Sequence, residues 1–598
     1  MYKQNKRSQQ PLLLSDVHAL PERSLKYLKN SWADTFRREV FLRIPEARFA
    51  GLYDPDPSRP NVPVNVLVGL EALKAGFGWS DQELYENFCY DLQVRYALGY
   101  DRLGDGDFEI RSLYYFRERL SKYNADNGIN LLEKAFEKIT DAQIMDLKIR
   151  TGMQRMDSTQ IASNIVSASR LQLLVESVQR VERILSETDR ARLMETFAPY
   201  IKDSAGHYTY RVKGKEAQQE HLQKIGQTIQ ALLQDLKSAY AAETAYQVLE
   251  RIFSDNFHLV ESGVRAKENT EITSDCLQSV DDLEATYRTK GAGHYKGYVA
   301  NITETCDPEN ELQLITKVQV APNNVDDAQL LAEALPNLQE RTDVDTLVTD
   351  GGFGGATSDQ ALQEAKTVTL IQTAIRGAQP TPNKFSLSDF VIEQNEKGDP
   401  ATLTCPQGQT VPVLPGRTTG WQARFEPSLC STCPFQLDGR CRTQPQKRDP
   451  RYLLTFTTHE VRTAKRRKDY LAHQDHSHNL RSAVEATVRS VKHPFPAGKL
   501  PVRGKFRVTC LMIASAATAN VRRIQRYLMA KMKQAEAATS PQSEAVPAPW
   551  FLFFFFRRAG YALGWFSAQF SVIKVRLLAE ESSVDHENVV KTLVAWLL

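Results

Sequence analysis

Three features of this 598-residue chain have the residue types and spacing to do chemistry. In the segment 481–492, Arg481, Glu485, Arg489 and Lys492 step by four, four and three, which places them on one stripe of a helix. Val484, Val488 and Val491 form a second, apolar stripe. A single Glu flanked along its own face by three cations suits a site that handles phosphates, because the carboxylate can hold a metal while the cations neutralise phosphate oxygens. The same spacing also fits a solvated ladder of ion pairs, and on this segment alone the ladder is the better reading. The second feature is Asp350, which closes the apolar run Thr346-Leu347-Val348-Thr349 and precedes Gly351-Gly352-Phe353-Gly354-Gly355. A carboxylate there stands at the carboxyl end of a strand, where open α/β sheets gather their ligands. No Lys-Ser/Thr follows these glycines, which argues against a nucleotide phosphate loop.

The third feature is a group of thiols. Cys430-Ser431-Thr432-Cys433 is a C-x2-C pair, Cys405 lies upstream beside Pro406 and Gly408, and Cys441 follows downstream. Two readings stay open: a structural tetrahedral Zn²⁺ site, or reduced free thiols. A metal there would supply folding energy to a small insertion with little core of its own. Cys89, Cys276, Cys306 and Cys510 are scattered singly.

The elements that must position these residues are legible in outline. Residues 1–145 read as mostly helical: an apolar-periodic run after Pro63 ends at Gly76-Phe77-Gly78, and Ser80-Asp81-Gln82-Glu83 has the form of a capping box. That pair resembles a helix-turn-helix, a pattern common in any helical domain. A third helix carries Leu113, Phe116 and Leu120 on one face and Arg111, Arg117, Arg119 and Lys122 elsewhere, readable as a basic surface or as a DNA contact. Residues 165–270 are helical again, with packing stripes such as Leu174, Val178, Val181 and Leu185, and they are bracketed by β-type sequence. Residues 346–373 spell a β-α-β unit. Arg462, Lys465, Arg466, Arg467 and Lys468 form a basic run ahead of the Glu485 helix, and Lys499, Arg503, Lys505 and Arg507 follow it. Both runs favour a phosphate-bearing partner.

Seventy-five Lys and Arg against 72 Asp and Glu leave a net charge of only +3, with 42% hydrophobic and 25% charged residues. This balance excludes a mainly disordered, collagen-like or multi-span membrane chain. The first thirty residues carry no apolar core of signal-peptide length, so a reducing cytoplasmic setting is expected. After an Ala/Ser/Pro-rich linker at 535–549, the apolar run Trp550–Phe556 ends at Arg557-Arg558, too short to span a membrane.

Taken in order, Asp157 in Met-Asp-Ser-Thr, Asp350 in Val-Thr-Asp-Gly-Gly-Phe-Gly and Glu485 in Arg-x3-Glu-x6-Lys resemble the three motifs of DDE-type insertion-sequence transposases. The narrower resemblance is to the bacterial group with a Tyr-x2-Arg-x3-Glu-x6-Lys third motif, in which His478 here takes the Tyr position. Tyr295-Lys296-Gly297-Tyr298 resembles the strand that precedes the second Asp in that group, and the likeness runs from about residue 20 to about residue 530.

The resemblance implies an α/β fold with a ribonuclease H-like core at 146–374 and 461–535. A helical insertion at 165–270, an N-terminal helical DNA-binding region at 1–145, a Cys-containing insertion at 375–460, and a linker and tail at 536–598 complete it. It implies that Asp157, Asp350 and Glu485 are catalytic and hold two Mg²⁺ ions, with Asp157 bridging them. It further implies that Arg481, Lys492, Arg489 and His478 contact DNA phosphates. The implied activity is metal-dependent cleavage and strand transfer at the inverted repeats of the chain's own element. The partners would be double-stranded DNA, in a homodimer or larger assembly, in the bacterial cytoplasm at the nucleoid. A DNA-binding regulator with an inactive core is the alternative.

Overall fold

In the computed structural model the described residues are 1–539 without 8–14, 57–59, 262, 376–380, 396–397, 417–419, 447–448 and 473, with backbone alone at 474–482 and 538–539. Almost all of the tail expected at 536–598 therefore lies outside the described residues. Met1–Ala530 form one compact unit. The architecture is mixed α/β. Among the described residues no helix is long and apolar enough to cross a membrane.

Helix α1 (Val64–Phe77) starts directly after Pro63 and is buried along nearly its whole length, so it forms the centre of the N-terminal region. It ends at Gly78 with φ of +72°. A side chain is excluded there twice over: the left-handed backbone disfavours it, and a Cβ would stand 1.8 Å from the carbonyl oxygen of Pro494. Ser80 and Glu83 close the capping box, each side chain bonded to the other's backbone N–H, and α2 (Asp81–Tyr90) follows. Helix α3 (Arg111–Asn127) buries Leu113, Phe116 and Leu120, as their spacing predicts. Of the four cations read as a basic surface, Arg117 is withdrawn, because its guanidinium is taken up by Glu71 and Asp81 at 2.6 and 2.7 Å, while Arg111, Arg119 and Lys122 are exposed. Helix α4 (Leu131–Asp146) leads into the sheet.

Six strands form that sheet: β1 (Met153–Ile161), β2 (Thr286–Lys290), β3 (Gly293–Thr305), β4 (Ile315–Pro322), β5 (Thr346–Asp350) and β6 (Thr369–Thr373). Their order is β2-β3-β1-β5-β6, with β4 also pairing β3. Strand β3 runs antiparallel to β1, β2 and β4, while β1, β5 and β6 are mutually parallel. Between β1 and β2 stand α5 (Arg170–Ile184), α6 (Lys215–Tyr240) and α7 (Thr244–Asn256), whose stripes Leu174, Val178, Val181 and Ile225, Ile229, Leu232 pack into one core. Helix α8 (Asp327–Arg341) crosses from β4 to β5, and α9 (Ala356–Ala365) from β5 to β6.

The segment holding the four clustered cysteines folds as a second antiparallel sheet, which the sequence reading did not anticipate. Its strands β7 (Val391–Gln394), β8 (Pro400–Thr404), β9 (Thr410–Pro415), β10 (Trp421–Phe425), β11 (Gln444–Pro445) and β12 (Tyr452–Phe456) lie in the order β11-β12-β10-β9-β8-β7. Alternation on β9, β10 and β12 turns Val411, Val413, Ala423, Phe425, Leu454 and Phe456 to one face, where they pack with Phe390 and Leu403. The expectation of an insertion with little core of its own is overturned.

Helix α10 (Thr458–Ala472) returns the chain to the main sheet, α11 (Gln474–Lys492) lies over it, and α12 (Lys505–Thr539) follows. The basic run on α10 is partly absorbed in packing. Arg466 is buried and pairs with Asp359, Arg462 pairs with the same carboxylate at 3.5 Å, and Lys468 donates to the Phe390 carbonyl.

Candidate active site

Strands β1 and β5 pair in parallel through Met153–Thr346, Gln154–Leu347 and Arg155–Val348. Carried two residues further, this register sets Asp157, midway along β1, level with Asp350 at the carboxyl end of β5, on strands that stand roughly 4.8 Å apart. The ladder stops just before them, so the two aspartates sit where the strands part. Asp350 Oδ1 accepts the Gly352 N–H at 2.7 Å and caps the tight turn that follows. Asp157 Oδ1 accepts the Ser158 N–H at 2.9 Å. Gly354, beyond Asp350, serves packing: a Cβ there would meet Gln372 at 2.6 Å and Arg466 at 2.7 Å.

Helix α11 packs against β1, β5 and β6. Val484 and Val491 are fully buried beneath it, as the apolar stripe requires. A second anchor was not visible in the sequence. Thr487 Oγ1 donates to Glu304 Oε2 at 2.7 Å, and Glu304 also accepts Arg155 Nε and Arg523 Nη1, each at 2.6 Å. Glu304 is wholly buried, so its charge is held by two guanidinium groups and a hydroxyl rather than by water. Further along α11, Lys492 Nζ donates to Thr159 Oγ1 at 3.1 Å and to the Gln160 carbonyl at 2.8 Å, and burial pulls its pKa down. Arg155, Asp157 and Thr159 alternate onto one face of β1. The helix is therefore pinned to that face on either side of Asp157. Glu485 is exposed and lies about two turns before Lys492 on the same stripe.

Of the cations expected to meet phosphates, Arg489 is exposed. Lys492 is half-buried and bonded to β1. The side chains of Arg481 and His478 lie outside the described residues. Lys499 and Arg503, from the basic stretch after α11, donate to the carbonyls of Ile165 and Asn164.

Main-chain bonds turn the backbone locally at each of the four cysteines. Gly408 N–H donates to the Cys405 carbonyl, Cys405 N–H to Gln409, Cys433 N–H to Cys430, and Cys441 N–H to Phe435. Burial, and then the nearby Cys441, Cys405 and Cys433, push the Cys430 thiol up to about 11. All four thiols are free. Among the described residues no three His, Cys, Asp or Glu side chains stand close enough to hold one metal ion, and this applies to the carboxylates and the thiols alike.

Residues 404–525 match the family model of the transposase DDE domain. The match is to the DDE-type transposases. It bears out the family likeness read from the motifs. The transposase match begins in the second sheet, includes the four cysteines from Cys405 on, and covers α10, α11 with Glu485, and the first part of α12; the strands bearing Asp157 and Asp350 precede it. No curated protein and no solved structure matches the chain.

Proposed function

We propose that this protein is a DNA transposase that binds the terminal inverted repeats of its own insertion sequence and catalyses DNA cleavage and strand transfer there. The observation that carries the reading is the register that sets Asp157 level with Asp350 under a helix bearing Glu485. The sheet order, three antiparallel strands followed by two parallel ones with β1 in the middle, supports a ribonuclease H-like core. The narrower group with the Tyr-x2-Arg-x3-Glu-x6-Lys motif belongs to the same proposal, with His478 in the Tyr position.

The carboxylates supply hard oxygen donors, which suit Mg²⁺, an ion that keeps much of its water shell and needs only one or two carboxylates. Asp157 with Asp350 would hold one ion and Asp157 with Glu485 the other, so three ligands around a single ion are not required. Bound there, two divalent ions supply activation of the attacking water or 3′-hydroxyl and stabilise the leaving oxygen. The chain's own residues do the positioning. Glu304 and Lys492 fix α11 on β1, the exposed Arg489 neutralises phosphate charge on the DNA backbone, and Arg481 keeps the phosphate role that its place in the motif implies. Double-stranded DNA is the partner, engaged by a dimer or larger assembly.

The test is Mg²⁺-dependent cleavage of duplexes carrying the DNA that flanks the reading frame. Asp157→Asn, Asp350→Asn and Glu485→Gln should each abolish cleavage and leave duplex binding intact. Wild-type cleavage by any one of them removes that residue from the active site. Duplex binding without any cleavage by the wild-type protein would favour the regulator instead. For the cysteines, the donor set fits a structural Zn²⁺ once the thiols close on it, and we assign Cys405, Cys430, Cys433 and Cys441 to that site. Metal analysis of the purified protein should find about one zinc per chain; none, in folded protein with reduced thiols, rejects the assignment.

A further inference from the structure

A cleft of about 650 Å³ opens well away from the carboxylates, between the start of α5, Asn256 at the end of α7, the segment from Asn269 to Gln278, and the β2–β3 hairpin. Its charge is one-sided. Arg170, Arg288 and Lys296 line it, and no Asp or Glu does. The three cations are held by neutral oxygens. Arg170 donates to the carbonyls of Lys267 and Asn256 at 2.7 and 2.6 Å, Arg288 to those of Asn323 and Val325 at 3.2 and 3.1 Å, and Lys296 to that of Ala168 at 2.9 Å. None of the three pairs with a carboxylate among the described residues. Glu268 acts on Arg170 only from a distance. Burial lowers the pKa of both Arg170 and Lys296, as expected for charges taken from water without a counter-ion. An anion entering the cleft would meet three pre-positioned cations. The volume is that of a small-molecule site, and Tyr287, whose ring stacks on His294 with centroids 5.9 Å apart, stands in its wall.

The position relative to the aspartates follows from strand register. Asp157 stands opposite Ile302 on β3, and Lys296 lies six residues earlier on the same strand. At about 3.3 Å per residue that is roughly 20 Å, or about six steps of 3.4 Å along one DNA strand. Ile161, at the carboxyl end of β1, pairs with Tyr298, so the cleft lies beyond the carboxyl end of β1, in the direction the strand runs from Asp157.

We propose that this cleft is a second DNA-holding site, which takes one nucleotide with its phosphate about six base-pair steps from the scissile phosphate. The inference rests on the transposase reading for its DNA partner, but not on cleavage. It assigns a holding role to the helical insertion: with β2 and β3, the insertion completes a clamp whose other end is the active site.

The test uses the full-length protein and a labelled duplex of arbitrary sequence, because phosphate contacts are sequence-independent. Thr289 lines the cleft and is exposed, so its replacement spares the fold. Thr289→Glu should weaken duplex binding about tenfold and Thr289→Lys should strengthen it. Lys296→Gln should lower the slope of log affinity against log salt by about one. Asp350→Asn, which tests catalysis, should leave all three readouts unchanged, so loss of cleavage and loss of this site are separable. Unchanged affinity in both Thr289 variants overturns the proposal. A parallel titration with deoxyadenosine monophosphate and with inorganic phosphate separates the sources. Tight binding of either that Thr289→Glu abolishes, with duplex affinity unaffected, would make this a small-molecule site and also overturn it.

Discussion

Lys492 shows how the same side chain can be read two ways until its partners are known. By spacing it belongs with Arg489 on the cationic stripe of α11, but its ammonium is spent on Thr159 and the Gln160 carbonyl, while Arg489 is exposed. The two should therefore fail differently. Arg489→Ala should lower the salt slope of DNA binding by about one, a lost phosphate contact. Lys492→Ala should leave that slope nearly unchanged and slow cleavage roughly tenfold or more, because α11 loses its fixing point beside Asp157. Salt titrations and single-turnover cleavage on both variants decide it; equal loss of slope in the two returns Lys492 to the phosphate contacts. Glu304 sits at the other limit of legibility. Nothing near Thr305 in the sequence marks it, because its partners Arg155, Thr487 and Arg523 come from three distant segments and meet only in the folded chain.

At the level of elements, local signals were readable and non-local charge pairing was not. The capping box at Ser80, the strand ending at Asp350 and the valine stripe of α11 each depend on neighbours within a few residues, and each stands where its spacing put it. The sheet around the cysteines escaped because its strands are short and its pairing is set by turns rather than by a long period. Arg117 escaped because its acidic partners lie on α1 and at the start of α2. Burial alone would raise the Asp81 carboxyl, but hydrogen bonds and charge from Arg117 and Lys74 outweigh it and hold it at about 2. An unfolded Asp titrates near 3.8. Its folded pKa is thus depressed, so the stabilisation is complete above pH 4 or so and fades as the pH falls through about 2. From the difference the clamp contributes about 2 kcal/mol at neutral pH. Asp81→Asn should lower the urea midpoint accordingly at pH 7, and the gap from wild type should narrow as the pH drops from about 4 toward 2. A gap independent of pH would show that the ion pair is not what stabilises α1 against α2 and α3.

Across the molecule, the N-terminal helices and the sheet share their interior. Val521 of α12 belongs to the core around α1, while Ala75 and Phe136 belong to the core over the sheet. Thr518 Oγ1 donates to the Ala72 carbonyl at 2.8 Å, and Arg522 to that of Gly76. At the same junction Gly78 meets Pro494, just beyond α11. Gly78→Ala combines a left-handed backbone with a clash against a main-chain oxygen, and should cost about 2 kcal/mol or more. Because the clash is transmitted to the end of α11, cleavage should also fall in the fraction that remains folded. Calorimetry and a cleavage assay on the same sample check both, and a variant of wild-type stability and rate would mean the junction is loose.

This shared interior bears on how such a chain can be altered. Recombination between genes, or a designer seeking a new target preference, would naturally exchange the first 146 residues at the boundary before β1. That cut would strip Val521, Phe506 and Cys510 of α12 of the core they share with α1, and Thr518 and Arg522 of their carbonyl partners. Residues 505–530 would have to travel with the transplanted helices, although they lie more than 350 positions downstream. Inherited as one block in the fold but two in the gene, the N-terminal region is not a portable module.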